Sequence, residues 1–157
     1  MRATGVPDRP DGEAVMAIAK ILKDKGGSII AASPSQTVAE VIALLCAHRI
    51  GAVIVMEDGA VAGVLSERDV VRGLNELGAA ILQRPAREIM TTEVITVAPS
   101  ESVTAALSRM TRRRIRHLPV IDGGEVRGVV SIGDLVKARI DEAVREAESL
   151  KDYITSA

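Results

Sequence analysis

Hydrophobic and polar positions follow two patterns along this chain. β-Branched segments flank turn signals at Asp58-Gly59 and Gly123-Gly124, which is typical of β-hairpins. Elsewhere apolar residues recur every three or four positions, as at Val38, Ile42 and Leu45, which predicts amphipathic helices. Strands and helices of ordinary length therefore alternate along the chain.

The same order of elements occurs twice. Shifted by 65 residues, Ile30 to Gly73 falls on Ile95 to Ala138 without a gap. Each copy predicts a short strand (Ser28 to Ala32; Glu93 to Val97), a helix, a hairpin and a final helix. Thr37-x-x-Glu40 predicts a capping box for the helix of the first copy. Because neither copy could cover its own sheet, we predict an α+β fold in which tandem βαββα repeats pack with pseudo-twofold symmetry.

The repeats divide the chain into three parts. Residues 1–12 are predicted to be a flexible tail, residues 13–80 the first repeat with a leading helix, and residues 81–157 the second repeat with a C-terminal helix. That last helix is predicted over residues 139–154, separately from the final helix of the repeat. It carries an apolar stripe that requires a partner. The stripe consists of Ile140, Val144, Ala147, Leu150 and Ile154.

Composition narrows the function classes. The 157 residues are 47% hydrophobic with a net charge of −1, which gives no support to a nucleic acid or membrane partner attracted by charge. Trp and Phe are absent and Tyr153 is the one tyrosine, so a platform of aromatic rings that stacks on single-stranded nucleic acid is not expected. Cys46 alone cannot form an intramolecular disulfide, and no apolar run reaches the length of a membrane span. We therefore expect a cytoplasmic protein.

No motif predicts catalysis. Cys46 and His48 are two positions apart on a helix and point to different faces, so they do not form a nucleophile and base pair. His48 and His117 are the only histidines, and no cluster has the spacing of zinc ligands. The glycines do not spell a phosphate-binding loop. The sequence therefore predicts a protein that is not an enzyme and holds no metal.

Several motifs together carry a family resemblance. They are Arg49-Ile50-Gly51-Ala52, Gly63-x-x-Ser66-x-x-Asp69, Met90-Thr91, Arg116-His117-Leu118-Pro119-Val120 and Gly128-Val129-Val130-Ser131-Ile132-Gly133-Asp134. With them the chain resembles a cystathionine β-synthase (CBS) domain pair of the stand-alone bacterial type, over about residues 14–150. The resemblance implies a regulatory homodimer that binds an adenosine-containing ligand (AMP, ADP, ATP, NAD(H) or S-adenosylmethionine) and acts on a regulated protein that the sequence does not identify.

The resemblance also implies two ligand clefts, each built from both repeats. Cleft A would contain Ile30, Ile50, Gly51, Ala52, Ser131 and Asp134. Cleft B would contain Ser66, Arg68, Asp69, Thr91, Thr92, Ile95, Ile115, Arg116, His117 and Pro119. In the family the matching Asp accepts hydrogen bonds from the ribose hydroxyls. A Ser-x-x-Asp motif is also a common helix cap, and the two roles are compatible.

The clefts are not equivalent in sequence. Gly51 and Ala52 leave room for an adenine edge, whereas Arg116 and His117 suit phosphates, so we expect cleft A to be the better adenosine site. Gly26-Gly27 stands where the second repeat has Thr91-Thr92, which removes two hydroxyls from cleft A.

Alternatives remain open at this stage. The run from Arg112 to His117 is interpreted as a solvated helix end, a phosphate site or, less consistently with the net charge, a nucleic acid contact. The alternative function is a protein–protein assembly module with vestigial clefts, which would use the C-terminal stripe.

Overall fold

The computed structural model describes residues 16–26 and 28–157, so the predicted tail over residues 1–12 lies outside the described residues. The elements in chain order are α1 (Ile18–Lys25), β1 (Ala31–Ala32), α2 (Val38–His48), β2 (Ala52–Glu57), β3 (Ala60–Ser66), α3 (Glu67–Leu77), α4 (Val103–Arg113), β4 (His117–Asp122), β5 (Glu125–Ser131) and α5 (Ile132–Thr155). Short 3-10 helices at Gly78–Gln83 and Ala86–Glu88 connect the repeats. The mixture of helices and strands in two repeats confirms the predicted α+β fold.

The predicted hairpins are present and share one geometry. β2 pairs with β3 and β4 with β5, both antiparallel, and the register shifts at the same repeat position, after Val55 and after Val120. Asp58 and Gly59 have φ of 51° and 77°, as both central residues of a type I′ turn require. The turn sequence therefore fixes the register that brings Ser66 and Ser131 to the ends of β3 and β5.

The first strand of each repeat is shorter than predicted. β1 is limited to Ala31–Ala32, which pairs in parallel with β2. The predicted strand from Glu93 to Val97 is wrong, since of that segment Val97 alone pairs with a strand, through a parallel bridge to Val120. Thr91, just before it, is bridged to Val64 of the other repeat. Between Thr91 and Val97 the chain passes from the first repeat to the second, so this segment is too short to pair with either sheet over several residues.

The helices begin where the side chains predict. The capping box of α2 is confirmed: Thr37 Oγ1 accepts from Glu40 N at 3.2 Å, and Glu40 Oε2 accepts from Thr37 N at 2.8 Å. Ser66 and Ser131 cap α3 and α5 in the same way. Each of these serines thus presents the first turn of a helix to the junction between the repeats.

Helix α5 is longer than predicted. The final helix of the second repeat and the predicted C-terminal helix over residues 139–154 are one continuous helix from Ile132 to Thr155. No Gly or Pro occurs between residues 135 and 155, so nothing in the sequence ends the first segment.

The hydrophobic cores are exchanged between the repeats. α1 precedes the first repeat, yet Ile18 is fully buried in the core of the second, and its N–H donates to Glu101 O at 3.0 Å. Ala86 belongs to the second predicted part of the chain, yet it is buried in the core of the first repeat and its N–H donates to Gln36 O at 2.7 Å. Both cores therefore contain residues from either side of the predicted boundary between residues 80 and 81.

Candidate ligand-binding clefts

Cavities lie where the repeats meet. The cavity of cleft A has a volume of about 480 Å³ and is lined by all its predicted residues: Ile30, Ile50, Gly51, Ala52, Ser131 and Asp134. The cavity of cleft B has a volume of about 170 Å³, and every residue predicted for it except Thr92 lines it. Ligand pockets usually measure roughly 300–1,000 Å³, so the volume of cleft A falls in this range and that of cleft B below it.

His117 stands between the clefts and lines both cavities. Burial holds the pKa of His117 below its ordinary value, and the neighbouring Arg116 and Lys25 act in the same direction. Glu67 and Asp134 oppose the shift without cancelling it. At neutral pH His117 therefore offers each cleft a neutral ring with one donor and one acceptor.

In cleft B, Asp69 is fully engaged by protein groups. Its Oδ2 accepts from Ser66 N at 2.8 Å and Ser66 Oγ at 3.0 Å. Its Oδ1 accepts from Arg72 at 2.7 Å and from Thr91 Oγ1 at 3.1 Å. The side chain is 3% exposed. A ribose could bind Asp69 only by displacing these partners. The role of Asp69 in this structure is therefore to link the start of α3 to Thr91.

In cleft A, Asp134 is more open, with a side chain that is 23% exposed. Its Oδ2 accepts from Ser131 N at 2.8 Å and from Lys25 Nζ at 2.7 Å. Its Oδ1 accepts no hydrogen bond from residues 16–26 or 28–157. Burial would raise the pKa of Asp134, but the hydrogen bonds from Lys25 and Ser131 outweigh it and lower the pKa. Asp134 is therefore an ionised acceptor with an oxygen available to a ligand.

Lys25 is a cleft residue that the sequence analysis missed. Besides pairing with Asp134, its ammonium donates to Val129 O at 3.0 Å. At the equivalent place in the other cleft, Val64 O accepts from the backbone N–H of Thr91 at 2.8 Å. A lysine side chain thus satisfies in cleft A a carbonyl that the backbone satisfies in cleft B. The repeat alignment gave no signal for this, because Lys25 aligns with the apolar Met90.

Cleft B is the more basic of the two. Its lining includes Arg68, Arg72, Arg114 and Arg116 against Asp69 and Glu93. Arg68 donates to Arg114 O at 3.0 Å, which ties α3 to the end of α4. Of the run from Arg112 to His117, Arg114 to His117 reach the cleft, whereas Arg112 and Arg113 are exposed at the end of α4.

The comparison with known families decides the identity. The family model of the CBS domain matches residues 19–76 and again residues 86–141, one match for each repeat. The chain belongs to the CBS domain family. It is a CBS domain pair, as the resemblance of its motifs predicted.

Relatives of this CBS pair include proteins with and without a stated ligand. It is 36% identical over 146 residues to a mitochondrial CBS domain-containing protein of Arabidopsis thaliana, covering 87% of this chain and 71% of the relative. A CBS-domain containing protein of Agrobacterium tumefaciens superposes with a TM-score of 0.77 at 37% identity, covering 79% of this chain and 99% of that one. A CBS domain protein of Pyrobaculum aerophilum, solved in complex with AMP, superposes with a TM-score of 0.67 at 28% identity, covering 76% and 89%.

A third cavity of the CBS pair, about 640 Å³ in volume, opens on the surface beside α2 and α3. Apolar side chains dominate its lining, and Val71 and Ile132 there are exposed to solvent. The outer face of α5 continues this apolar surface through Val136 and Ile140. The CBS pair therefore has an uncovered apolar face next to its clefts.

The described residues offer neither a metal cluster nor a membrane span. In residues 16–26 and 28–157, no group of three or more His, Cys, Asp or Glu side chains could hold a metal ion. None of the helices within that part of the chain is long and apolar enough to cross a membrane.

Proposed function

We propose that this CBS pair is a regulatory, non-catalytic module that binds an adenosine-containing ligand in cleft A. The observation that carries the proposal is the environment of Asp134. Its carboxylate is ionised and lies at the first turn of α5, in a cavity of about 480 Å³. Its Oδ1 accepts no hydrogen bond from the described residues. A pair of vicinal hydroxyls supplies the donors that such a carboxylate accepts. The relative of known structure with bound AMP supports the same ligand class.

The remaining lining of cleft A suits a purine. Ile30 and Ile50 offer apolar surface for the faces of a base. The backbone at Gly51 is less open than its sequence indicates, because Gly51 O accepts from Glu67 N at 3.0 Å and the ring of His117 lies against Gly51. No Phe, Trp or Tyr side chain is available for stacking in cleft A, because the chain lacks Phe and Trp and its only tyrosine is Tyr153 at the end of α5, so the ring of His117 is the aromatic group of the lining. We therefore expect the base to be held by aliphatic contacts and the ribose by Asp134.

Cleft B takes a different part in the proposal. Its arginines favour anionic groups, while Asp69 is occupied and the cavity is small. We propose that cleft B holds phosphate groups or a small anion rather than a second nucleoside.

Binding in cleft A would be coupled to the arrangement of the two repeats. The cleft takes Ile50 from one repeat and Asp134 from the other, so a ligand that contacts both favours one relative arrangement. The size of the response equals the difference in ligand affinity between the arrangements. We propose that the responding species is a cytoplasmic homodimer, which the exposed apolar face supports, and that it signals to a separate regulated protein.

A thermal-shift panel tests the proposal. The full chain is heated with AMP, ADP, ATP, NADH or S-adenosylmethionine, and with GMP as the control ligand. A ligand at about 100 times its Kd adds roughly 2.7 kcal/mol to the free energy of unfolding, a rise of several degrees in Tm. We expect a rise with at least one adenosine compound and none with GMP.

A matched pair of variants assigns the site. Asp134→Asn should reduce the rise by about half or more at the same ligand concentration, and Asp152→Asn, on the exposed part of α5, should keep it. A flat panel for the wild type, with no nucleotide already bound, would overturn the proposal. It would favour an assembly module, for which the exposed apolar face of α5 is the supporting observation.

A further inference from the structure

Helix α5 extends well beyond the body of the protein. Leu135 is buried and Ala138 packs on the core of the second repeat. From Ala143 to Ala157 every residue is exposed. A helical segment of this length is marginally stable in water without packing, and an apolar stripe on it requires a partner.

The apolar stripe follows a heptad pattern. With Val136 and Ala143 included, and Val144 assigned to a flanking e position, its members are separated alternately by four and three residues, the spacing of a and d positions in a coiled coil. Ile140, Ala147 and Ile154 occupy a positions, and Val136, Ala143 and Leu150 occupy d positions. The stripe lies on the outer face of α5, away from Leu135, and is exposed along its whole length. It is therefore available to a second helix.

The flanking charges determine which orientation a second α5 would take. In a parallel pair, Glu146 at position g faces Lys151 at position e of the partner helix, and the attraction occurs twice. In an antiparallel pair that matches Ile140 with Leu150, Lys137 would face Lys151 and Glu146 would face its own copy. Both antiparallel contacts are repulsive, so charge complementarity favours the parallel arrangement.

We propose that α5 pairs in parallel and in register with the α5 of a second copy of this chain, through Val136, Ile140, Ala143, Ala147, Leu150 and Ile154. The pairing is isologous, with the same stripe contributed by both copies around a twofold axis. The alanines at the centre allow close approach of the helices, and the larger residues close both ends. This inference rests on the proposed self-association but not on ligand binding, so it is tested without nucleotide.

Disulfide trapping tests the orientation. In a Cys46→Ser background, Ile154→Cys places a thiol at an a position, where parallel copies meet within disulfide distance. In the antiparallel pair the same thiols would be about 27 Å apart along the axis, at 1.5 Å per residue. We expect a covalent dimer with Ile154→Cys on mild oxidation. Asp152→Cys, which points outward at position f, is the matched control and should stay monomeric on a non-reducing gel.

Charge exchange gives an independent readout by sedimentation equilibrium of the full chain. Glu146→Lys and Lys151→Glu should each raise the dimer Kd, by roughly threefold to tenfold, and the double variant should restore it. Glu148→Lys, at the outward position b, should leave the Kd unchanged. An antiparallel pair would instead be tightened by Lys151→Glu, because the introduced carboxylate would then face Lys137.

The outcomes of these experiments distinguish the α5 pairing from the more general proposal that the chain forms a homodimer. A dimer that forms no link through residue 154 and ignores the charge variants overturns the α5 pairing but leaves the proposed homodimer intact. A chain that stays monomeric at every concentration overturns both, while the nucleotide-binding panel still stands on its own.

Discussion

The imidazole ring of His117 lies against Gly51 at the junction of the two repeats. A Cβ placed on Gly51 would be 3.1 Å from Cε1 and 3.2 Å from Nε2 of His117. By the repeat alignment Gly51 corresponds to Arg116 and Ala52 to His117, so the pseudo-symmetric positions carry different residues. The ring occupies the space that the missing side chain leaves, and it forms the wall that separates the clefts.

This contact predicts a pH dependence of stability. Because burial lowers the pKa of His117 in the folded state, the unfolded chain binds more protons as the pH falls through about 6.5. The free energy of unfolding should therefore decrease between pH 7.5 and 5.5, with a slope of at most about 1.4 kcal/mol per pH unit from this group. Urea unfolding at several pH values measures the slope. His117→Gln should flatten it, and the exposed His48→Gln should not. An unchanged slope in His117→Gln would contradict the assignment.

The two capping aspartates should respond differently to the same substitution. Asp69→Asn disturbs a buried carboxylate with several hydrogen-bond partners and should lower the free energy of unfolding by about 2–3 kcal/mol. Asp134→Asn should cost less stability, because its carboxylate is more exposed.

The same Asp134→Asn variant should weaken AMP binding by about tenfold to a hundredfold, as for the loss of charged hydrogen bonds worth about 1.5–3 kcal/mol. Urea unfolding and calorimetric titration give the two quantities, and equal effects of both variants on AMP affinity would contradict the proposed difference between the clefts.

The Lys25–Asp134 ion pair predicts a change in acid stability. Since the pKa of Asp134 is lowered in the folded state, its contribution to stability is present near neutral pH and is lost as the pH falls through that pKa. Lys25→Met should raise the pKa of Asp134 and reduce the loss of stability in acid. A carboxyl-carbon NMR titration, with the signal assigned through Asp134→Asn, reads the pKa directly. Lys23→Met, on the exposed side of α1, is the control, and a pKa that stays the same in Lys25→Met would show that the pair does not form.

Gly73 predicts a steric conflict inside the first core. A Cβ on Gly73 would lie 1.7 Å from Cδ1 of Ile81, which is fully buried. Alanine usually stabilises a helix relative to glycine by about 1 kcal/mol, but here the overlap dominates, and Gly73→Ala should cost about 1–3 kcal/mol. Ile81→Val removes Cδ1, so the double variant should lose less stability than the two single losses combined.

Gly133 provides the control for that experiment. A Cβ on Gly133 would meet Ser131 Oγ at 3.6 Å, an ordinary contact, so Gly133→Ala should lose no stability. If the stability losses of Gly73→Ala and Ile81→Val simply add in the double variant, the methyl group of the introduced alanine and Cδ1 of Ile81 do not compete for the same space.

The sequence predicted the parts of this protein that depend on local chemistry. Asp58-Gly59 and Gly123-Gly124 specify hairpin turns, and Ser66 and Ser131 specify helix starts, because these residues act on backbone groups close to them in the chain. The family motifs then indicated which residues line the clefts, and the structure brings all but Thr92 to those cavities.

The parts that were missed depend on distant partners. Lys25 reaches Asp134 across 109 positions, and no local pattern marks that contact. The segment from Glu93 to Val97 has strand composition, but Thr91 is held by Val64 of the other repeat and the path of the chain leaves no room for a ladder. The burial of Ile18 in the second core follows from tertiary packing alone.

That exchange of core segments has a consequence for how the molecule folds. A fragment ending at residue 80 carries Ile18 without the core that buries it, and it lacks Ala86. The fragment that begins at residue 81 carries Ala86 without the first core and lacks Ile18. We expect neither fragment to fold alone and the mixture to reconstitute the native structure, as in fragment complementation. The folding unit is then the interlocked pair rather than the single repeat, so a ligand held in either cleft protects both halves from unfolding at once.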